Sequence, residues 1–464
     1  MAEQQFKEQG GAATMDPSPF MRFMTSRIIN RIKSSRTQEK KHKRAERERV
    51  KAGAGHVVHY FHQVDEGYSQ LAAQSLSRLA DRYEIELHCH LVTAGRDKNS
   101  PEPELLLQLS RNDAAAIAPE YGLAFPAEPR APSESLVALA TAILAAQDDT
   151  GFAACAADVG RALWDEDQSR LEHLADVHDR TDKATAEASV ASGNALRDKL
   201  GHYSGAMFYY GDEWYWGVDR LYHLEARLAA LGADRRVNEP MLAPRQEVQS
   251  GPLQDDGSLT LEIYASLRSP YTAVAFDQSV ELARATGVNF ALRPVLPMVM
   301  RGVPATRTKG MYIFSDAGRE ARAAGVPFDK FYDPIGDPAR RGYGLYRFAC
   351  EQGKGVEMFS ALLHCAFHEG VNLNRDSGLK RAVKRAGLDW QEARKAIGRE
   401  DWREELEQNR LTLYERGLWG VPSFRLLDAA GEEILALWGQ DRLWLFAREI
   451  QRQLQQRAAA MGQS

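Results

Sequence analysis

Alternation of apolar and polar positions in the second half of the chain predicts an ordered series of strands and helices. Leu259 to Ala265 alternates apolar residues, which predicts a strand. Ser269 followed by Pro270 marks the start of a helix that continues to about Ala285, because serine is a common N-cap and proline suits the first helical turn. A second strand is predicted around Asn289 to Val295.

The pattern then changes to a long stretch with helical periodicity, from about residue 316 to 416. Two further apolar runs, Ser423 to Leu427 and Glu433 to Trp438, flank a Gly-containing turn and predict a hairpin. A last helix is expected to start near Asp441. The order strand, helix, strand, helical insertion, hairpin, helix predicts an α/β domain.

The chain repeats this plan. Shifting the sequence by 203 places sets Tyr68-Ser69 on Tyr271-Thr272 and Gly122 on Gly325, and shifting it by 222 sets residues 216–221 on 438–443. The two shifts mean that the second copy carries 19 additional residues between the matched regions. We therefore predict a tandem duplication, separated by a Pro/Gly/Gln/Asp-rich linker.

A basic segment precedes the first copy. Between Arg22 and Lys51 there are twelve Lys/Arg and three Glu, a net charge of +9, whereas the whole chain carries −5. Apolar residues recur beside these cations at helical spacing, namely at Phe20, Met24, Ile28 and Ile32. Such a helix is typical of segments that lie on an anionic membrane or on RNA. The alternative is a solvated arm, or a helix that packs on the acidic body of the protein itself.

We predict four parts: a basic arm, flexible or helical, at residues 1–53; a first copy at 54–237; the linker at 238–257; and a second copy at 258–464. The 464 residues are 44% hydrophobic and 27% charged, which excludes a collagen, a mostly disordered chain and a polytopic membrane protein. The sequence contains neither a signal-peptide core nor an apolar membrane span, so we expect a cytoplasmic protein.

Eight short segments of the second copy resemble one known family. In chain order they include Ser269-Pro270-Tyr271, Arg293-Pro294-Val295-Leu296, Lys309 and Tyr312 with Asp316, Gly325-Val326-Pro327-Phe328, Phe367-His368-Glu369-Gly370, Gly387-Leu388-Asp389, residues 417–424 and residues 438–443. The second copy resembles the 2-hydroxychromene-2-carboxylate isomerase and kappa-class glutathione transferase branch of the DsbA-like thioredoxin superfamily. The resemblance implies two thioredoxin-like (DsbA-like) domains, each with a helical insertion, the first being a degenerate copy.

Disulfide oxidoreductases of this fold place a reactive cysteine at a helix N-terminus, where backbone N–H groups and the helix dipole stabilise a thiolate. The corresponding turn here is Ser269-Pro270-Tyr271-Thr272 and contains no sulfur. The resemblance implies that Ser269 instead contacts the thiol of bound glutathione. The alternative is that Ser269 is only an N-cap.

The resemblance also implies the other glutathione contacts. Pro422 is expected to be cis and to face the active-site helix, so that Val421 pairs with the cysteinyl unit through main-chain hydrogen bonds. Gln440 and Asp441 match the positions that hold the γ-glutamyl end, since an amide and a carboxylate suit an α-carboxylate and an α-amino group. Asp441 has the alternative role of N-cap to the last helix.

Cationic and phenolic residues suit the electrophilic side of the pocket. Lys309 matches a lysine of the family, and Tyr271 or Tyr312 can donate a proton. Arg268 is a further candidate for binding an anionic substrate. For Arg293 we favour a cross-strand pair with Glu262, which two histidines, His90 and His59, replace in the first copy.

The first copy has lost the catalytic residues. Glu66 aligns with Ser269, and a carboxylate would repel a thiolate. Ala206 aligns with Pro422 when the hairpin is aligned backwards from Trp216. Four histidines and a cysteine in this copy (His59, His62, His88, His90 and Cys89) lack the carboxylate pattern of a metal site, and we assign no metal.

The second copy is therefore predicted to be a glutathione-dependent isomerase or transferase that acts on a small electrophilic, aromatic or unsaturated substrate. Two alternatives stay open: a non-catalytic thioredoxin-fold scaffold, and a thiol-dependent step of a biosynthetic pathway. The partners expected are glutathione, the substrate and, for the arm, an anionic surface or the acidic body. No specific nucleic acid is predicted, and a homodimer is left open.

Overall fold

The computed structural model describes residues 16–95, 102–303 and 306–461. These residues form two compact units. The N-terminal unit contains residues 39–246, and the C-terminal unit contains residues 247–461 together with the described residues up to Gln38. The basic segment is thus divided between the units.

The basic segment forms two helices, α1 (Pro19–Ile32) and α2 (Ser35–Ala52). The N-terminal unit continues with β1 (Val57–Gln63), α3 (Gly67–Ala73), α4 (Leu76–Arg82), β2 (Glu86–Val92), α5 (Pro103–Ile117), α6 (Glu134–Ala145), α7 (Asp149–Trp164), α8 (Gln168–His178), α9 (Lys183–Leu200), β3 (Met207–Tyr210), β4 (Glu213–Trp216) and α10 (Gly217–Ala230). The four strands lie in the order β2-β1-β3-β4, with β1 and β2 parallel and the other neighbours antiparallel.

The C-terminal unit repeats this arrangement. Its elements are β5 (Thr260–Ala265), α11 (Pro270–Thr286), β6 (Asn289–Pro294), α12 (Arg307–Ala323), α13 (Asp337–Glu351), α14 (Gly355–Phe367), α15 (Asp376–Arg385), α16 (Trp390–Ala393), α17 (Trp402–Glu415), β7 (Ser423–Leu427), β8 (Glu433–Trp438) and α18 (Leu443–Met461). The strand order β6-β5-β7-β8 and the strand directions match those of the N-terminal unit. The predicted α/β class is confirmed, as are the strands and the hairpin of the second copy.

The core of the C-terminal unit explains why β5 has so few exposed positions. Helix α11 packs on β5 and β6 and also contacts α14 of the helical insertion. Phe276 on α11 lies 5.1 Å from Phe359 on α14, measured between ring centroids. Five of the six β5 residues are buried, so the strand is apolar on both faces apart from its paired glutamate.

Helix α1 turns its polar side towards the protein and leaves its apolar stripe outside. The segment is helical, but its buried residues are Arg22, Ser26 and Ile29, while most of the predicted stripe is exposed. Asn30 lies on the same inward side and exchanges two hydrogen bonds with the backbone of Phe331, of 2.8 and 2.7 Å. The polar face therefore packs inward, because it pairs with backbone groups that would otherwise lack partners.

Helix α2 packs on acidic residues of its own unit. His42 lies 2.6 Å from Glu213, and Arg44 donates to Asp212 at 2.5 Å, both at the β3–β4 hairpin. Two side chains of α2 thus pair with acidic residues of the hairpin, while no residue of the helix is buried. Across the described ranges, every helix is too short or too polar to cross a membrane.

Candidate functional site

The N-terminus of helix α11 carries the candidate catalytic serine. Ser269 is the N-cap, with extended backbone angles, and its Oγ accepts a hydrogen bond from the Thr272 N–H at 3.1 Å. Pro270 occupies the first helical turn, where its missing N–H costs nothing. The N-cap alternative is thus correct as far as it goes, but it uses only one of the two lone pairs of the serine oxygen.

Ser269 also contacts the predicted proline turn. The peptide bond between Val421 and Pro422 is cis, and Ser269 Oγ donates to the carbonyl oxygen of Val421 at 2.9 Å. Pro422 is buried, and its own carbonyl accepts from the Gly439 N–H at 3.0 Å. The structure therefore places Ser269, Val421 and Pro422 side by side, as the sequence predicts.

Only glycine fits just before this turn. A Cβ atom on Gly420 would lie 2.2 Å from Nε1 of Trp438. The Gly420 backbone packs closely on the Trp438 indole, and this contact fixes the position of the loop that carries Val421 and Pro422. Trp419, on the other side of Gly420, is buried and approaches the ring of Trp438 edge-on.

Helix α12 lies against α11 and presents a buried charged face to it. Its charged residues at helical spacing are all less than a tenth exposed: Lys309, Asp316, Arg319 and Glu320. Two cations and two anions balance each other, which is what allows four charged groups to be buried together. Lys309 Nζ lies 4.9 Å from the centroid of the Trp419 ring, a cation–π contact.

Tyr271 points its hydroxyl at this charged face. The phenol donates to Asp316 Oδ2 at 2.8 Å, and Arg319 donates to the other oxygen, Oδ1, at 2.6 Å. Both oxygens of the Asp316 carboxyl group are thus hydrogen-bond acceptors, one for the tyrosine and one for the arginine. Tyr312 is buried on the same helix, one turn before Asp316.

Gln440 and Asp441 lie in a short 3₁₀ turn, Gln440–Arg442, that packs on α11. The side-chain amide of Gln440 donates to Glu320 Oε2 at 3.1 Å, so it holds the turn against α12. The N-cap of this turn is Gly439, and helix α18 begins only at Leu443. Asp441 lies at the kink between this turn and the helix, with non-helical backbone angles (φ −89°, ψ 19°).

The two arginines considered for substrate binding form internal ion pairs. Arg268 makes a two-pronged pair with the buried Asp333, at 2.9 and 3.0 Å. Arg293 pairs with Glu262 at 2.6 Å, which confirms the predicted cross-strand pair. In the N-terminal unit the replacing histidines, His59 and His90, also contact each other at 2.9 Å.

In the equivalent turn of the N-terminal unit, the side chains of Glu66 and Ser69 hydrogen-bond to each other. The register of the two hairpins pairs Met207 with Trp216 and Ser423 with Trp438, which confirms that Ala206 stands in the place of Pro422. Ser69 Oγ accepts from the Ala206 N–H at 2.9 Å and donates to Glu66 at 2.7 Å. Burial raises the pKa of the Glu66 carboxyl to about 7.

The four cysteines lie away from both turns and are not activated. Burial raises the thiol pKa of every one, to about 11 for Cys155 and about 12 for Cys365. Within the described residues, no three His, Cys, Asp or Glu side chains are grouped closely enough to bind a metal ion.

Sequence reasoning missed the partners that hold the site together. Asp333 and Glu320 are far along the chain from Arg268 and Gln440, and no periodicity links them. Asp316 and Arg319 had a usable signal. Together with Lys309 and Tyr312 they recur at helical spacing, which puts all four on one side of the helix. Opposite charges on one side of a helix indicate that these side chains pair with each other or with neighbouring groups.

Comparison with known proteins agrees with this architecture. Residues 260–451 match the family of the DSBA-like thioredoxin domain. No curated protein matches the chain.

Similar solved structures cover a little over two fifths of the chain. A 2-hydroxychromene-2-carboxylate isomerase is 19% identical, with a TM-score of 0.37, over 43% of this chain and 98% of its own. The cytosolic disulfide reductase DsbM from Pseudomonas aeruginosa is 20% identical, with a TM-score of 0.34, over 42% and 99%. A probable DsbA oxidoreductase from Streptomyces coelicolor is 18% identical, with a TM-score of 0.32, over 41% and 89%. On the family match over residues 260–451, the C-terminal half of the chain carries a DSBA-like thioredoxin domain.

Proposed function

We propose that the C-terminal unit is a glutathione-dependent isomerase or transferase for a small electrophilic, aromatic or unsaturated substrate. One observation carries the proposal: a serine hydroxyl stands at the helix N-terminus where a redox cysteine would act, 2.9 Å from the carbonyl that precedes a cis proline. Glutathione would supply the missing thiolate, which adds to an electrophilic carbon of the substrate. Serine can stabilise such a thiolate but cannot form a disulfide.

The donor and the acceptor of the Ser269–Val421 hydrogen bond could both bind glutathione instead of each other. Ser269 Oγ–H, released from Val421, would donate to the thiolate, and the Val421 carbonyl would accept the cysteinyl N–H. The N-cap bond from Thr272 stays in place throughout. The turn is thus held rigid while only one hydrogen bond is exchanged, and the dipole of the 17-residue helix α11 lowers the thiol pKa.

The properties of the four cysteines support a reaction in which glutathione supplies the thiol. A nucleophilic thiol needs a lowered pKa, and all four here have it raised by burial. The chain has no other sulfur nucleophile, since methionine is not one.

The other predicted residues take distinct roles in the proposal. Tyr271 exchanges a proton at the substrate, with Asp316 as the acceptor that orients its hydroxyl. Lys309 places a positive charge beside Trp419, near the loop that carries Val421. Asp441, whose side chain is partly exposed, offers a carboxylate to the γ-glutamyl ammonium, and Gln440 positions that turn.

The N-terminal unit is assigned no catalysis. Glu66 replaces the serine, and its carboxyl occupies the hydrogen-bonding position beside Ser69 and Ala206. Such a turn repels an incoming thiolate. A binding or packing role for this unit is therefore part of the proposal.

Calorimetric titration of the full chain tests the serine. Wild type is expected to bind both glutathione and S-methylglutathione. Ser269→Ala should weaken binding of glutathione by roughly ten- to a hundredfold, the effect of a hydrogen bond to a charged group, and should leave binding of S-methylglutathione unchanged. Equal losses for both ligands would show that the serine does not contact the thiol.

Ser133 provides a matched control. It is the N-cap of helix α6, and its side chain accepts from the Leu136 N–H at 3.4 Å. Ser133→Ala and Ser269→Ala should each lower the free energy of unfolding by about 1 kcal/mol, the cost of a lost cap. Only Ser269→Ala should change glutathione affinity. Absence of glutathione binding to wild type at millimolar concentration would overturn the proposal itself.

A further inference from the structure

Helix α1 exposes its apolar residues. The exposed fractions of five side chains are 69% for Phe20, 54% for Met21, 45% for Phe23, 38% for Met24 and 55% for Ile28. At about 100° per residue these positions cover one continuous side of the helix. Burial of such side chains is normally favourable, so a folded helix that leaves five of them in water presents an interaction surface.

The helix cannot turn this side inward. On its other side Arg22 Nη1 donates to the carbonyl of Asp333 at 2.8 Å, and Ser26 Oγ accepts from the Asp333 N–H at 3.0 Å. Asn30, one turn further on, exchanges two hydrogen bonds with the Phe331 backbone. Residues 22, 26 and 30 thus follow the backbone of 331–333, four residues apart, and fix the rotation of α1 about its axis.

The exposed side is also cationic. Residues 17–38 contain no Asp or Glu, and of their five Lys/Arg, Arg22 and Lys33 are buried while the other three are exposed. Arg27 and Arg31 are exposed on the apolar side, and the Arg27 guanidinium lies 5.6 Å from the centroid of the Phe23 ring. A partner must therefore accept both apolar insertion and positive charge.

We infer that helix α1 docks the protein on an anionic lipid bilayer. Phe20, Met21, Phe23 and Met24 enter the boundary between headgroups and acyl chains, and Arg27 and Arg31 reach the phosphates, their stems lying along the apolar surface. An anionic bilayer meets both requirements over a convex helix face, whereas a protein partner would need a matching acidic groove. The surface is independent of the proposed glutathione chemistry.

Vesicle flotation of the full chain tests the docking. Wild type is expected to float with vesicles of phosphatidylcholine and phosphatidylserine, and much less with phosphatidylcholine alone. Phe20→Ser with Met24→Ser should abolish flotation on both. Arg27→Gln with Arg31→Gln should reduce binding to the anionic vesicles about 25-fold, at roughly fivefold per arginine, and leave binding to neutral vesicles unchanged.

Matched controls use exposed residues of the other unit. Val177 and Val237 are 60% and 78% exposed, so Val177→Ser with Val237→Ser removes comparable apolar surface elsewhere. This variant should float like wild type. Because the altered α1 side chains are exposed, all variants should keep the wild-type unfolding midpoint and glutathione affinity.

Three results would overturn the inference. The first is that wild type does not float with anionic vesicles at low salt. The second is that the Phe20→Ser/Met24→Ser variant floats as well as wild type. The third is that a second copy of the chain covers α1. In the last case sedimentation would show a wild-type dimer that the same double variant dissociates, and vesicles would not compete with it.

Discussion

Ser269 uses its hydroxyl in both directions. The oxygen accepts the Thr272 N–H of its own helix and donates to the Val421 carbonyl across the turn. The first bond belongs to the fold, and the second is the one that a ligand can replace. This division explains why an N-cap and a ligand-contacting residue need not be competing interpretations of one serine.

Tyr271→Phe should separate proton transfer from binding. The change removes the hydroxyl that donates to Asp316 but leaves Asp316 paired with Arg319, so the buried charges stay balanced. With glutathione and an α,β-unsaturated ketone as electrophile, whose enolate adduct must take up a proton, we expect kcat to fall by at least about tenfold, while the glutathione Kd from calorimetry stays unchanged.

Tyr332→Phe is the control for that change. Its hydroxyl accepts from Asn372 Nδ2 at 3.2 Å within the same unit. This variant should keep the wild-type kcat. If Tyr271→Phe also keeps it, the phenol is structural.

Glu66 should make the N-terminal unit more stable in acid. Its folded pKa of about 7 lies above the ordinary value of 4.5. The folded state therefore holds the proton more tightly, and the stabilisation is complete below pH 4.5 and lost as the pH rises to about 7. Glu66→Gln keeps a neutral side chain at every pH, so relative to wild type it should gain about 2 kcal/mol of unfolding free energy between pH 5 and pH 8.

Thermal or urea unfolding at the two pH values measures this difference. Glu432→Gln, an exposed carboxylate in the β7–β8 hairpin, is the control. A gain of the same size in this variant would show that the pH dependence does not come from Glu66. A constant difference for Glu66→Gln would show that Glu66 is ionised at both values.

At the scale of the element, α1 shows how a helix can be held by polar groups. Asn30→Ala removes both partners of the Phe331 backbone, and a buried N–H or carbonyl without a partner costs about 1–3 kcal/mol. We expect this loss in unfolding free energy, together with faster hydrogen exchange at the Phe331 amide.

The neighbouring Arg31 supplies the control for that helix. It is exposed on the opposite side, so Arg31→Ala should change the unfolding free energy by less than about 0.5 kcal/mol. Equal effects of the two changes would mean that the hydrogen bonds of Asn30 do not hold α1 in place.

The sequence is a good guide to elements whose pattern is decided locally. The strand predicted at 259–265 is found at 260–265, and the hairpin strands have the predicted bounds. The meeting of Ser269 with Pro422 was implied by the family resemblance and not by the local pattern. The sequence does not predict which side of α1 faces the protein, because the apolar residues of the helix would by themselves favour burial of the other side. The opposite result depends on backbone groups of residues 331–333, which no local pattern reveals.

At the scale of the molecule, the two units share one sheet topology. Both units have the same strand order, and both hairpins end in the same bond, from Gly217 N–H to Ala206 in one and from Gly439 N–H to Pro422 in the other. The two turns differ in sequence: Glu66 and Ala206 in the N-terminal unit correspond to Ser269 and Pro422 in the C-terminal unit.

The pairing of Asn30 with Phe331 also sets an order of events during synthesis. The two residues are 301 positions apart. At about 5–20 residues per second, a ribosome needs roughly 15–60 s to make the intervening chain. During that interval the backbone groups of Phe331 and Asp333, which pair with α1, do not yet exist. The whole N-terminal unit is made in the same interval and can fold. The C-terminal unit is thus completed by a segment that leaves the ribosome before the N-terminal unit does.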